Sequence, residues 1–95
     1  MAAYLHAKLE ITDSALYETY RAQVPALIAA HGGRYLVRGG AVQALEGEAP
    51  TQRQVILEFP SMAALRAFYD SPEYAPLIAL RQRAAKGSLS AIEGV

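Results

Sequence analysis

Polar residues at alternating positions of the predicted strands form one cluster whose side chains could do chemistry. Its members are His6, Lys8, Arg38, Glu58 and Ser90, which we expect to share the sheet face that no helix covers. Arginine anchors anions, and histidine exchanges protons near neutral pH. In a polar pocket, Arg38 would therefore hold a small anion or carbonyl compound, while His6 and Glu58 would be the catalytic acid and base.

The same cluster has a purely structural interpretation. If this face pairs with a second copy of the chain, the charges lie between subunits, where an unpaired charge is costly. Arg38 or Lys8 would then form ion pairs with Glu58 or Glu10 and fix the register of a dimer. The sequence favours this network, and the pocket stays open as the alternative.

Aromatic side chains form a second cluster, close to the predicted helices or to the sheet positions that face them. Tyrosines at helical spacing usually belong to the core and place the hydroxyl at its rim. The functional alternative is an apolar slot between helices and sheet, in which phenols orient an aromatic or lactone substrate. In that case Tyr20, Tyr35 and Tyr69, together with Arg38, are the candidate ligand-binding residues. The cluster comprises Tyr17, Tyr20, Tyr35, Phe68, Tyr69 and Tyr74.

Other kinds of site have little support in the sequence. The only histidines are His6 and His31, and neither has a metal-ligand motif around it, so we expect no metal, haem or other cofactor. His31 is best explained as a partner of a helix dipole, and otherwise as a proton donor in a pocket. Ser14, Ser61 and Ser71 are explained as helix caps. The two glycine pairs match no phosphate-binding motif.

The elements that carry these residues follow from periodicity. Strict alternation from Ala3 to Ile11 predicts a strand with one buried face. Capping side chains at residues 12–14 then start a helix, whose apolar stripe runs from Leu16 to His31. We expect Pro25 to kink or break this helix and Gly32-Gly33 to end it.

The second and third strands are separated by a turn-rich loop. Arg34 to Arg38 reads as a strand, and we expect it to bend at Gly39-Gly40 and resume from Ala41 to Leu45. A two-glycine hairpin is the alternative. A polar loop over residues 46–51 then leads to a strand from Gln54 to Phe59.

The last third of the chain predicts a helix in two pieces and a final strand. Ser61 caps the first piece, and Ser71-Pro72-Glu73 starts the second. Gly87 closes that helix, and the last strand runs from Ser88 to Glu93.

The predicted order β-α-β-β-α-β defines the fold class. It is an α+β, ferredoxin-like antiparallel sheet with both helices on one face. The uncovered face must be solvated or paired with another subunit, and its apolar side chains make pairing the expectation. The apolar side chains that we expect on this face are Leu36, Ile56 and Ile92.

Composition narrows the class of protein. A chain of 95 residues forms one domain, and 53 % apolar residues with zero net charge argue against disorder and against a nucleic-acid partner. The apolar excess favours a homodimer, since a domain of this size leaves much of its surface uncovered. No stretch predicts a membrane span or a signal peptide, so we expect a cytoplasmic protein.

Several motifs in order give the chain a resemblance to the domain-of-unknown-function family 1330. They extend from Tyr20-Arg21 through residues 32–40, Leu45-Glu46-Gly47 and residues 58–61 to Phe68-Tyr69-Asp70-Ser71-Pro72-Glu73-Tyr74, Leu80-Arg81 and Glu93-Gly94-Val95. The resemblance implies one dimeric α/β-barrel domain over residues 1–95, in which two ferredoxin-like sheets close face to face. Relatives in that superfamily include cofactor-free monooxygenases of aromatic polyketides, muconolactone isomerases, haem proteins and stress-responsive proteins.

Two functions stay open at this stage. The first is a cofactor-independent enzyme, monooxygenase-like or isomerase-like, that acts on a small aromatic, lactone or carboxylated molecule. The second is a non-enzymatic ligand-binding or stress-related homodimer whose polar sheet face holds the interface. A pocket that contains His6 would favour the first, and full pairing of Arg38 with Glu58 would favour the second.

Overall fold

The computed structural model describes residues 1–95 as four strands and three helices. The strands are β1 (Ala3–Ile11), β2 (Arg34–Arg38), β3 (Arg53–Phe59) and β4 (Ala85–Glu93), and the helices are α1 (Ser14–Ala30), α2 (Met62–Tyr69) and α3 (Ala75–Ala84). The strands form one sheet in the order β2-β3-β1-β4, and every neighbouring pair is antiparallel. This is the ferredoxin-like arrangement, so the predicted α+β fold class is confirmed.

The hydrophobic core lies between the sheet and the helices. In β1 the alternation buries Ala3, Leu5, Ala7 and Leu9 on the helix side, as the sequence predicts. Buried residues of α1, α2 and α3 pack against them in one cluster. The opposite face of the sheet, which we call the open face, has no helix over it.

A bulge in β2 decides which side of the sheet Arg38 occupies. Tyr35 pairs with Leu57, but after an irregularity between Tyr35 and Val37 the next pairs shift, and Arg38 stands opposite Val55. Val55 and Leu57 belong to the helix-side alternation of β3, so the bulge brings Arg38 to the helix side as well. Arg38 therefore stands opposite the helix-side positions of β3 and not on the open face as predicted, although it also borders an open hollow that contains His6.

The chain leaves the sheet directly after Arg38. Gly39 has a φ of +68°, a conformation that suits glycine, and its N–H donates to the carbonyl of Gln54 at 2.8 Å. Residues 40–52 form no strand, so both the resumed strand over Ala41 to Leu45 and the two-glycine hairpin are wrong. The reason is that β3 begins at Arg53, so residues beyond Gly40 have no strand opposite them to pair with.

The first two helices begin where capping side chains are predicted. Asp13 accepts a hydrogen bond from the Leu16 N–H at 3.1 Å, and Ser61 does the same for Ala64 at 3.1 Å. α1 runs through Pro25 without a break, because proline removes only one of its hydrogen bonds. None of the three helices is both long and apolar enough to cross a membrane.

The second half of the split helix differs from prediction at both ends. The Ser71 hydroxyl donates to the Phe68 carbonyl at 2.9 Å and so closes a turn, and α3 begins only at Ala75. α3 ends at Ala84 and β4 follows at once, so Gly87 does not terminate the helix. Gly87 instead lies in β4 with a φ of +153°, where a Cβ atom would collide with the Lys8 carbonyl oxygen.

Candidate functional site

A narrow slot opens between α1, α3 and the helix side of the sheet. Its walls are mainly apolar, from β1 residues such as Leu5 and Leu9 and from Val24 of α1. The cavity itself measures about 40 Å³, and the whole empty space including the open mouth is about 480 Å³. Four tyrosines and four arginines also line it, and no acidic residue or histidine does. They are Tyr17, Tyr20, Tyr35 and Tyr74, with Arg21, Arg38, Arg53 and Arg81.

A hydrogen-bonded chain of two phenols and a guanidinium connects α1 to α3 inside the slot. The hydroxyl oxygens of Tyr20 and Tyr74 are 2.8 Å apart, and Arg81 Nη1 donates to Tyr74 Oη at 2.8 Å. Arg81 is only 5 % exposed. Its partners in the protein are phenols and not carboxylates, which leaves its charge without a counter-ion.

The protonation states in this chain follow from burial. Desolvation, with the neighbouring Tyr74 phenol second, raises the pKa of Tyr20 above its ordinary value. Burial likewise raises the pKa of Tyr74 and of Tyr35, although nearby arginines oppose it. Burial alone would lower the pKa of Arg81, but its phenol neighbours outweigh that effect and raise it. At neutral pH the slot therefore presents neutral phenols and a cation, all of which can donate hydrogen bonds.

Two further guanidinium groups sit in the slot without an acidic partner. Arg38 lies at the rim with its Cζ 4.3 Å from the centroid of the Tyr35 ring, a cation–π arrangement. Arg53 lies with its Cζ 5.6 Å from the centroid of Tyr17, and its buried Nε has no hydrogen-bond partner. Neither forms an ion pair, whereas the fourth arginine of the slot, Arg21, has Glu18 at 3.8 Å.

The structure brings only one predicted ligand-binding residue near a predicted catalytic one, because Arg38 and His6 both border a wide, open hollow between the open face and the loop after β2. Tyr20, Tyr35 and Arg38 line the slot, but Tyr69 lines a different hollow between α2 and β4. His6 and Glu58 lie on the open face, on the other side of the sheet. No single pocket therefore holds all six of these candidates.

The open face contains a different polar network from the predicted one. Glu58 pairs with Arg34 at 2.7 Å, and not with Arg38 or Lys8. His6 Nε2 lies 2.8 Å from Gln54 Oε1, and because the amide oxygen can only accept, the histidine nitrogen donates. At the end of α1, His31 Nδ1 bonds the Leu27 carbonyl at 3.0 Å, which confirms its predicted role at the helix terminus.

Two arginines of the slot are absent from the sequence-based candidates, although each had a signal. Arg81 follows Tyr74 by seven residues and Leu77 by four, a spacing that puts it on the buried stripe of α3. Arg53 precedes Val55 by two, which puts it on the helix side of β3 once the strand is started one residue earlier. A basic residue in phase with a buried stripe is thus the pattern to search for.

Fold and slot together define a class: a ferredoxin-like domain with a cationic, phenol-lined cavity between its sheet and its helices. The family model for a domain of unknown function, DUF1330, matches residues 2–95. The chain belongs to this family. No curated protein matches the chain.

Solved structures share the fold at low sequence identity. A protein of unknown function from Rhodopseudomonas palustris superposes with a TM-score of 0.77 at 19 % identity, over 99 % of this chain and 82 % of its own. The cofactor-independent oxygenase SnoaB from Streptomyces nogalater gives 0.64 at 13 % identity, over 99 % and 93 %. HapK from Hahella chejuensis gives 0.61 at 20 % identity, over 100 % and 93 %. These likenesses establish the fold.

Proposed function

We propose that the slot binds a small, flat aromatic, lactone or carboxylated molecule and that the protein is a cofactor-independent enzyme acting on it. One observation carries the proposal. Every polar side chain in the slot is a hydrogen-bond donor at neutral pH, and three of its cations have no acidic partner. Such a cavity favours a ligand in its anionic form, such as a carboxylate, an enolate or a phenolate.

The chemistry that suits this cavity is stabilisation of an oxyanion. Tyr20, Tyr74 and Arg81 would hold the negative oxygen, so that an enol or phenol loses its proton to water more easily. In the monooxygenase-like reaction the electron-rich anion then reacts with dioxygen. A methylene group next to the ring becomes a carbonyl, and the second oxygen atom leaves as water, so no separate reductant is needed.

An isomerase-like reaction has less support from the slot. It needs a group that takes a proton from one carbon and returns it to another. No histidine or carboxylate lines the slot, and His6 and Glu58 lie across the sheet. The oxygen-dependent reaction requires only that the anion be stabilised, which is what arginines and neutral phenols do.

Oxygen consumption tests the enzymatic proposal. The protein should be mixed with hydroxylated ring compounds that carry an activated methylene group, and dioxygen uptake followed with an electrode. We expect uptake above the spontaneous rate, and we expect Arg81→Met to abolish the excess while Arg66→Met, outside the slot, retains it. Uptake that is identical with and without protein would contradict an oxygen-dependent enzyme.

A non-enzymatic ligand-binding protein is the second candidate. The same absence of a general base favours it, because a cavity made only of donors can hold an anion without reacting with it. Ligand-dependent increases in thermal stability, without turnover of any bound compound under air, would identify this function.

We propose that two copies of the chain pair through their open faces. Ile92 is 53 % exposed and Leu36 is 46 % exposed, and both border the open face with the half-buried Ile56. Apolar side chains gathered on an uncovered sheet face favour burial against another subunit. In that dimer the Arg34–Glu58 and His6–Gln54 contacts would be interfacial, and the polar network would fix the register.

A further inference from the structure

We propose that the slot recognises a one-ring molecule with two separate acidic groups, and that its two cationic ends bind one group each. The deep end is Arg81 with its phenol partners. The mouth end consists of Arg53 and Arg38. This inference rests on the proposed function, because it names the class of ligand that the same slot takes.

The count of charges supports two acidic groups. Arg38, Arg53 and Arg81 line one cavity, and no carboxylate lies within ion-pairing distance of any of them. Buried charges in proteins are normally paired. A ligand with a single negative charge would leave two of the three cations without a counter-ion. A dianion would leave only Arg38, which is exposed to water at the rim.

The position of the cations supports two separated groups. Arg81 lies on α3, and it donates a hydrogen bond to Tyr74, whose hydroxyl is in turn bonded to that of Tyr20. Arg53 comes from β3 and lies against Tyr17. The rings of Tyr17 and Tyr20 stand between the two ends with their centroids 5.8 Å apart. A flat ring can lie along this aromatic wall with one acidic group at each end.

The volume of the slot limits the size of the ligand. The cavity of about 40 Å³ is far below the roughly 300–1,000 Å³ of sites that bury drug-sized molecules. Several fused rings exceed this space by far more than one ring does. A single ring, with its second acidic group in the open mouth beside the exposed Arg38, is therefore the favoured size.

Calorimetric titration with four related probes tests the inference. The probes are benzoate, benzene-1,3-dicarboxylate, benzene-1,4-dicarboxylate and the neutral benzene-1,3-dicarboxamide, at one fixed ionic strength because exposed charges are screened by salt. We expect at least one dicarboxylate to bind about tenfold or more tightly than benzoate, and the diamide to bind more weakly than both.

Variants assign the two ends. Arg53→Met should remove the advantage of the dicarboxylate and leave benzoate affinity within about twofold, while Arg81→Met should weaken both by about tenfold or more. Arg53→Lys keeps the charge and should retain part of the advantage, which separates charge from folding. Arg66→Met is the matched control, because Arg66 pairs with Asp70 outside the slot.

The outcomes distinguish the two proposals. If benzoate binds as tightly as both dicarboxylates, or if Arg53→Met weakens every probe equally, the two-ended recognition is wrong while slot binding stands. If no probe binds and the oxygen assay also fails across its panel, the proposed function itself is contradicted.

Discussion

Arg81 holds a full positive charge at a place where charges are costly. Its side chain is almost wholly buried, and its hydrogen-bond partner is the Tyr74 hydroxyl. A methionine of similar length would fill the same space without any desolvation cost. An arginine at this position therefore has a cost in stability that ligand binding would explain.

Substitution of Arg81 separates stability from binding. We expect Arg81→Met to leave the free energy of unfolding unchanged or to raise it by about 1 kcal/mol, because the buried charge is removed. Urea unfolding at pH 7 measures this. A loss of more than about 2 kcal/mol would indicate that Arg81 is a structural residue whose phenol contact holds α1 and α3 together.

The buried phenols predict a loss of stability at high pH. The pKa of Tyr20 is raised in the folded protein, so the unfolded chain releases this proton from about pH 10 upwards while the folded chain keeps it. The contribution of this group to the free energy of unfolding is therefore fully present below pH 10. Above pH 10 it falls, by up to about 1.4 kcal/mol per pH unit for each such group. Tyr35 and Tyr74 shift in the same direction and add to the fall.

Tyr20→Phe tests that pH dependence. Urea unfolding from pH 8 to pH 11 should show a shallower fall for the variant than for the parent protein above pH 10. The variant starts from a lower stability, because it loses the bond to Tyr74. If the free energies of unfolding of the variant and the parent protein fall in parallel above pH 10, Tyr20 ionises as readily in the folded as in the unfolded chain, which would contradict the prediction.

Among the elements, β4 depends on a close approach to β1. Gly87 pairs with Leu9, and a Cβ atom there would collide with the Lys8 carbonyl oxygen. The backbone of both strands would have to move, and the positive φ would add strain. The pairing of the two longest strands in the sheet therefore requires a glycine at this position.

Gly87→Ala should lower the free energy of unfolding by about 2–3 kcal/mol. Gly40→Ala is the matched control, because a Cβ atom at Gly40 meets nothing within 4 Å and its φ is not positive. We expect that control to stay within about 0.5 kcal/mol of the parent protein. Equal stability of the two variants in urea would contradict the tight approach.

How far an element could be predicted depended on whether its pattern was local. β1, the capped starts of α1 and α2, and the core of β3 follow from alternation, caps and proline stops within a few residues. The bulge after Tyr35 does not, because it depends on pairing with a strand about twenty residues later. That single irregularity moved Arg38 to the helix side, and with it changed the predicted site.

The candidate site was predicted only in part for the same reason. The sequence predicts the tyrosines of the slot as helix-side residues, since helical spacing is visible for Tyr17, Tyr20 and Tyr74 and strand alternation for Tyr35. Arg53 and Arg81 are in phase with buried positions, but a basic residue is expected at the surface, so their spacing alone does not predict that Arg81 is buried under α1 and that Arg53 lies against Tyr17. Gln54, the partner of His6, becomes visible only once β1 and β3 are paired.

For the whole molecule, self-association is the property to measure first. Ile92→Glu places a charge on the open face and should convert a dimer to a monomer, as measured by light scattering at micromolar concentration. Leu45→Glu is the control, because Leu45 is 93 % exposed in the loop between β2 and β3. A parent protein that is already monomeric, or an Ile92→Glu variant that stays dimeric, would contradict pairing through this face.

The slot also determines the intrinsic fluorescence and circular dichroism of the protein. The chain has no tryptophan and six tyrosines, and four of the six line the slot. Its ultraviolet emission therefore comes from phenols, most of them within reach of a bound molecule. An aromatic acid that enters should quench this emission and alter the near-ultraviolet dichroism without any added label. Occupancy of the cavity can thus be followed by intrinsic tyrosine fluorescence.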